Sequence, residues 1–149
     1  MFFLEEEKEL SLKLFIVLSR AYESIITHIE KDIRSYGLNS TEFGVLELLF
    51  HKGEQPLQKI GEKILITSGS ITYVVDKLQN KGLLQRINCP EDRRITYAHL
   101  TKQGKELMET IFPAHLEKIH QVLGGLDAEE KELAITHLKK LGLFAKNQK

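Results

Sequence analysis

The sequence predicts a mainly α-helical chain with a small β element, an α+β fold, and three observations lead there. Apolar residues recur at three- and four-residue steps through most of the 149 residues. Helix-start residues and closing glycines cut that pattern into separate helices. One stretch, about 83–100, alternates instead, and the turn-forming run NCPED at 88–92 splits it in two.

In chain order, Leu10, Leu14, Val17, Leu18, Ala21, Ile25, Ile29, Ile33 and Tyr36 give a long first helix one apolar stripe, which Gly37 ends. Asn39, with Glu42 three residues later, is a capping box for a second helix whose Phe43, Leu46, Leu49 and Phe50 share a face. Lys52 and Gly53 close it. Pro56 reads as the first position of a short third helix with Leu57, Ile60 and Ile64 on its inner edge. Thr67 reads as the cap of a fourth helix, which points Ile71, Val74, Val75 and Leu78 inward and stops at Lys81 and Gly82. Strands over 83–87 and 95–100 follow. Thr101 then caps a fifth helix carrying Leu107, Met108, Ile111, Leu116, Ile119 and Leu123, with Pro113 expected to bend or interrupt it. Gly124 and Gly125 break the chain before a last helix, opened by Asp127 and Glu130, that bears Leu133, Leu138, Leu141 and Phe144. There is no repeat, linker or low-complexity segment.

The order helix, short helix, helix, hairpin over about 39–101 is a helix-turn-helix followed by a β wing, inside a single domain whose helices at 1–36 and 102–146 extend beyond it. In such a lobe the fourth helix is the reader, because its apolar side is committed to the core. At about 100° per residue, the opposite side holds Gly69, Thr72, Tyr73, Asp76 and Asn80, with Ser68, Ser70 and Lys77 at its margins. Small, hydroxyl-rich side chains in the first turn let a helix N-terminus approach a phosphate, and Ser, Thr, Tyr and Asn bond phosphates or base edges. At the wing, Pro90 stiffens the turn and Asp92 can brace an arginine. Arg93 and Arg94 stand where a hairpin tip enters the minor groove, one inserting and the other pairing locally; the residues do not say which.

Charge agrees with this placement. The chain is neutral overall, with 21 Lys+Arg against 21 Asp+Glu, yet residues 56–105 carry 9 basic and 4 acidic residues and every other segment is net acidic. A basic middle with acidic ends suits one face meeting an anionic polymer. No apolar run approaches the roughly 20 residues of a membrane span, and the acidic opening MFFLEEEKEL is unlike a signal peptide, so the expected location is cytoplasmic, with no membrane partner. One cysteine and six scattered histidines offer no metal-ligand spacing, and no cofactor is expected.

The segments GLNSTEFGVLELL at 37–49, TSGSITYVVDKL at 67–78, KGLL at 81–84 and the PEDRR wing followed by LTKQG at 100–104 together resemble the MarR family of bacterial transcription regulators, over essentially the whole chain. The resemblance implies a winged-helix homodimer, with the first and last two helices as interface, that represses transcription from a palindromic DNA operator. It also implies Asp92, Arg93 and Arg94 as wing contacts and residues 68–77 as recognition-helix contacts. LSLKLFIVLSRAYESI at 10–25 and the Cys-Pro wing look most like the phenol- or quinone-responsive, MhqR-like branch. A small-molecule pocket between the DNA-binding lobe and the dimer helices is implied as well, and Phe15, Tyr22, Phe43, Phe50, Phe112 and His115 would suit a phenolic ring there. Plain core or dimer packing explains the same six residues.

Three other readings stay open at this point. Cys89, beside two arginines on an exposed wing, suits a thiol sensor, although a lone intracellular cysteine is commonly incidental. A winged helix used only as a protein-interaction adaptor would bind no DNA and show no salt-dependent DNA affinity. An enzyme is not expected: there is no nucleophile elbow, phosphate-cradling glycine loop or paired carboxylate in an apolar setting.

Overall fold

The computed structural model describes residues 2–64 and 68–149 of the chain. It contains helices α1 (Phe2–Ser35), α2 (Ser40–Lys52), α3 (Leu57–Lys63), α4 (Ser68–Asn80), α5 (Lys102–Val122) and α6 (Ala128–Lys146), with strands β1 (Gln55–Pro56), β2 (Leu84–Asn88) and β3 (Thr96–Leu100). The strands form one antiparallel sheet in the order β1-β3-β2. The long hairpin pairs Leu84 with Leu100 and Asn88 with Thr96.

The capping chemistry acts as the sequence suggests. Asn39 accepts the Glu42 N–H at 2.8 Å and the Glu42 carboxylate accepts the Asn39 N–H at 3.0 Å, so the start of α2 has no orphan donor at either position. Asp127 and Glu130 repeat the arrangement at α6. Gly37, Gly53 and Gly82 take positive φ values of 76–80°, the left-handed conformation in which glycine alone is unstrained. The Thr67 cap lies outside the described residues.

Two expectations are corrected. Pro56 is not the first helical residue: it is extended (φ −60°, ψ 140°) and sits opposite Tyr97 on the sheet edge, where a residue without an N–H leaves no ladder bond unmade. β1 therefore makes the sheet three-stranded, and two residues are too few to show a period. Pro113 does not interrupt its helix, because α5 runs unbroken through it.

The core belongs to the lobe. Phe43, Val45, Leu46 and Leu49 of α2, Ile60 of α3, Ile71, Val74, Val75 and Leu78 of α4, Leu84 and Ala98 of the sheet, and Met108 and Ile111 of α5 are buried together with Ile33 near the end of α1. Among the described residues the rest of α1 and all of α6 bury nothing fully, although Phe3, Leu10, Leu14, Phe15, Val17, Leu133, Leu138, Leu141 and Phe144 lie on them. Those two helices leave apolar surface open along their length. Among the described residues no helix is long and apolar enough to cross a membrane.

The wing is rooted on one close approach. Thr101 donates its backbone N–H to the Leu83 carbonyl at 3.1 Å and its hydroxyl to the Gly82 carbonyl at 2.6 Å, while accepting the Gly104 N–H at 3.0 Å. A Cβ on Gly104 would lie 2.0 Å from the Leu83 oxygen. The LTKQG segment is thus a joint: a capping threonine and a glycine that lets α5 press on the wing root.

Candidate nucleic-acid interface

α4 presents the face that its apolar pattern implies. Ile71, Val74, Val75 and Leu78 are buried, while Ser70, Thr72, Tyr73, Asp76 and Asn80 are exposed, Tyr73 by 67%. Ser68 and Gly69 lie in its first turn. Two of the anticipated contact residues are occupied within the lobe. Asp76 holds Arg86 of β2 at 2.5 Å, and Arg86 also donates to Gln79 at 2.8 Å. Lys77 lies 4.0 Å from the buried Glu42 carboxylate, with Lys81 at 2.8 Å on the other carboxylate oxygen. A helical wheel cannot reveal either pairing, since both partners come from other elements.

These ion pairs sit on opposite flanks of α4. On one flank a cation from the wing strand meets acceptors on the helix; on the other a carboxylate from α2 meets two ammoniums. Burial acts to raise the Glu42 carboxyl, but the hydrogen bonds from Lys81 and the Asn39 N–H, with the Lys81 and Lys77 charges, outweigh it and hold the group below its usual 4.5. The carboxylate is therefore charged although only 2% exposed. Arg86 and Gln79 carry no signal in the sequence, and Glu42 and Lys81 are legible there only as a capping residue and a helix stop; no local spacing marks the ion pairs.

At the wing tip the two arginines differ in their partners. Arg94 donates from Nε and Nη2 to the two oxygens of Asp92, both at 3.0 Å, and its backbone N–H reaches the same carboxylate. The Arg94 hydrogen bonds hold the Asp92 carboxyl below its ordinary range and raise the guanidinium in turn. Arg93 is exposed on the same turn and, among the described residues, makes no hydrogen bond or ion pair. Cys89 is half-buried and unpaired, its N–H bonded to the Ile95 carbonyl at 2.9 Å just below the tip.

The six aromatic and imidazole residues do not converge. Phe43 and His115 pack with ring centroids 4.4 Å apart, and Phe50 lies 6.1 Å from Phe112, with His51 at 4.6 Å from Phe112. Phe15 and Tyr22 instead stand exposed on the outer part of α1. His115 Nδ1 is 2.9 Å from Asp32 of α1, and the Tyr36 hydroxyl donates to the same carboxylate at 3.1 Å. Burial, reinforced by that carboxylate, raises the Tyr36 phenol. This polar knot ties α5 to α1 beneath the Phe43 ring. Phe43 and His115 are thus core residues in one chain, and the outer pair belongs to a different surface.

Residues 38–96, from the start of α2 to the beginning of β3, match the model of the MarR family. Over 138 residues, 93% of this chain and 95% of the relative, the sequence is 58% identical to the HTH-type transcriptional regulator MhqR of Bacillus subtilis. The chain belongs to the MarR family. Among solved structures, BpsR of Bordetella bronchiseptica, whose DNA binding is regulated by 6-hydroxynicotinic acid, is 27% identical, with a TM-score of 0.76 over 87% of this chain and 98% of that one. Sco3205 of Streptomyces coelicolor, a MarR family regulator solved in complex with DNA, shares the fold, with a TM-score of 0.80 at 19% identity over 96% of this chain and 89% of that one. This MarR protein is accordingly a DNA-binding, MhqR-like transcriptional regulator and not an enzyme. A DNA-binding regulator of this family is not the pure adaptor that the sequence left open.

Proposed function

We propose that the protein is a homodimeric repressor of a palindromic operator, released by a small phenol or quinone. The observation that carries the dimer is the apolar surface left open on α1 and α6: Phe3, Leu10, Leu14 and Phe15 on one, Leu133, Leu138, Leu141 and Phe144 on the other. Leu14, Leu138, Leu141 and Phe144 also line an open apolar groove of about 370 Å³. A second copy of the chain, in an isologous contact through residues 1–36 and 102–146, covers such surfaces by symmetry. The lobe over 39–101 then occurs twice, and the two α4 helices address major grooves about 34–36 Å apart. Ser68, Gly69, Ser70, Thr72, Tyr73 and Asn80 meet the major groove, Arg93 meets the minor groove, and Asp92 and Arg94 set its approach.

The effector reading is supported by the likeness to MhqR, by the regulation of BpsR by a hydroxylated aromatic acid, and by the Phe50–Phe112 aromatic pair beside the α1–α5 junction. An effector lowers DNA affinity only by binding the DNA-incompetent arrangement more tightly. Phe50, Phe112 and His115 lie where α5 leaves the lobe, so a ring held there biases the tilt of the two heads. Cys89 is dispensable in this scheme.

Light scattering at micromolar concentration should give a dimer, and footprinting an inverted repeat. Operator-bound protein is then titrated with hydroquinones and catechols, in the parent and in Cys89→Ser. Release in both supports the non-covalent reading; release lost in Cys89→Ser replaces it with thiol chemistry at the wing. A stable monomer, or protection of a single half-site, would refute the assembly.

A further inference from the structure

We infer that Glu42, which lies behind the DNA-reading surface and touches no DNA there, sets the specificity of the interface by holding Lys77 and Lys81 in ion pairs and off the DNA backbone. The inference rests on α4 being the recognition helix. Glu42 is buried, with Oε2 at 2.8 Å from Lys81 and Oε1 at 4.0 Å from Lys77, and Lys81 also reaches the Gly37 carbonyl at 3.3 Å. The two lysine side chains are 43% and 36% exposed, so both are at the surface, and the carboxylate, joined at Lys81 by the Gly37 carbonyl, directs their ammoniums inward.

Helix geometry makes that direction matter. At about 100° per residue, Lys77 lies roughly 40° around α4 from the exposed Tyr73, and Lys81 roughly 80°, both on the same flank. A lysine is a point charge on a flexible four-carbon stem. Released from Glu42, either can swing toward a phosphate, and pairing with a phosphate adds affinity for every sequence alike. Held by Glu42, they leave Tyr73 and Asn80 as the outermost groups on that side. The opposite flank has the same economy: Arg86 is occupied by Asp76 and Gln79. The recognition helix is thus flanked by charges that are already paired, which suppresses sequence-independent binding.

The substitution Glu42→Gln isolates the charge, because glutamine serves at the third helical position of a capping box as glutamate does. Parent, Glu42→Gln and the triple variant Glu42→Gln/Lys77→Gln/Lys81→Gln are titrated by fluorescence anisotropy against two duplexes across a salt series. One duplex is an inverted repeat selected from genomic fragments by the purified protein; the other has a random sequence. Glu42→Gln should bind the random duplex more tightly and narrow the ratio between the two. Its salt slope should steepen by about 0.9 for each phosphate that a freed lysine neutralises, an extra loss of about 3.5-fold per phosphate between about 50 and 200 mM salt. The triple variant should return to the parent slope. A purely structural Glu42 would weaken both complexes without steepening either slope, and an unchanged slope and ratio overturns the inference.

Should Glu42→Gln fail to fold, acetylation of the parent by acetic anhydride, read residue by residue by mass spectrometry, decides instead. Lys77 and Lys81 should react equally in free and operator-bound protein, and DNA-dependent protection of either refutes the inference. A parent that binds neither duplex removes the recognition-helix reading and this inference with it.

Discussion

Replacing Gly104 with alanine tests the joint between wing and α5. The added Cβ would stand 2.0 Å from the Leu83 oxygen and 2.9 Å from its carbon, both backbone atoms that no rotamer change can move aside. Relief to an ordinary contact of 3.4 Å needs a shift of roughly 1.4 Å between the α5 N-terminus and residue 83, comparable to the backbone shifts that overpacked cores undergo at a cost of about 1–3 kcal/mol. That shift also stretches the Thr101 bonds to Leu83 and Gly82, at 3.1 and 2.6 Å, each worth about 0.5–1.5 kcal/mol. Against these stands the helix propensity of alanine over glycine, about 1 kcal/mol. The net is a loss of about 2 kcal/mol, or roughly 4–8 °C in Tm for a chain of this size. Gly44→Ala supplies the control: it sits inside α2, where a Cβ would meet only Ile64 Cγ2 at 3.7 Å, an ordinary contact, so the propensity gain of up to about 1 kcal/mol should survive. Urea unfolding of the three proteins reads both signs. If Gly104→Ala matches the parent, or both variants shift in one direction, the close approach does not govern the joint.

At the wing, Arg93→Ala should lower the salt slope of operator binding by about 0.9 or alter A·T preference, whereas Asp92→Asn and Arg94→Ala should resemble each other by loosening the turn; anisotropy across salt separates the groups. A double-mutant cycle on Asp76→Asn and Arg86→Gln should return a coupling of about 0.5–1 kcal/mol in stability, modest because Asp76 is half-exposed, and additivity within error would deny the clamp. For pH, the folded Glu42 carboxyl lies below its usual 4.5, so its contribution is present above that value and is lost as pH falls through the folded value. The stability difference between parent and Glu42→Gln should therefore shrink in acid below about pH 4.5, and a difference that grows there contradicts the pairing.

What the sequence made legible is what short-range chemistry writes into it. The Asn39–Glu42 and Asp127–Glu130 boxes, the Thr101 cap and the apolar steps of α2 and α4 each involve residues at most a turn or two apart, and each is found where the sequence places it. What stayed hidden depends on partners brought close by the fold. Glu42 meets Lys81 across 39 positions, Arg86 meets Asp76 across 10, and Asp32 meets His115 across 83. None of these has a period or a motif. The effector set shows the same limit from the other side: six residues of suitable chemistry share a type, but only spatial neighbours can share a pocket, and Phe15 and Tyr22 lie on a different surface from Phe43 and His115.

The course of α5 makes the polar knot and the joint parts of one lever. The helix is fastened to the wing root at Thr101 and Gly104, seated in the lobe core at Met108 and Ile111, and tied to α1 through His115 and Asp32. Beyond His115 it exposes Leu116, Leu123 stands exposed at its C-terminal cap, and α6 continues with exposed apolar residues. The bonds and buried residues named here thus lie in the first 14 residues of α5, Lys102 to His115, while beyond them Leu116 is exposed and Ile119 and Val122 are half-buried. Pro113 sits two residues before the handover. With no N–H it cannot bond the Glu109 carbonyl, and both residues are exposed, so the missing bond falls on the solvent side of the helix. A change of α5 direction at that point would leave the wing root undisturbed while altering how the outer half meets the second copy of the proposed dimer. In the proposed dimer, a helix so divided passes a rotation of one lobe to the other by way of the knot at Asp32, Tyr36 and His115, and the proposed effector near Phe112 would act beside that knot.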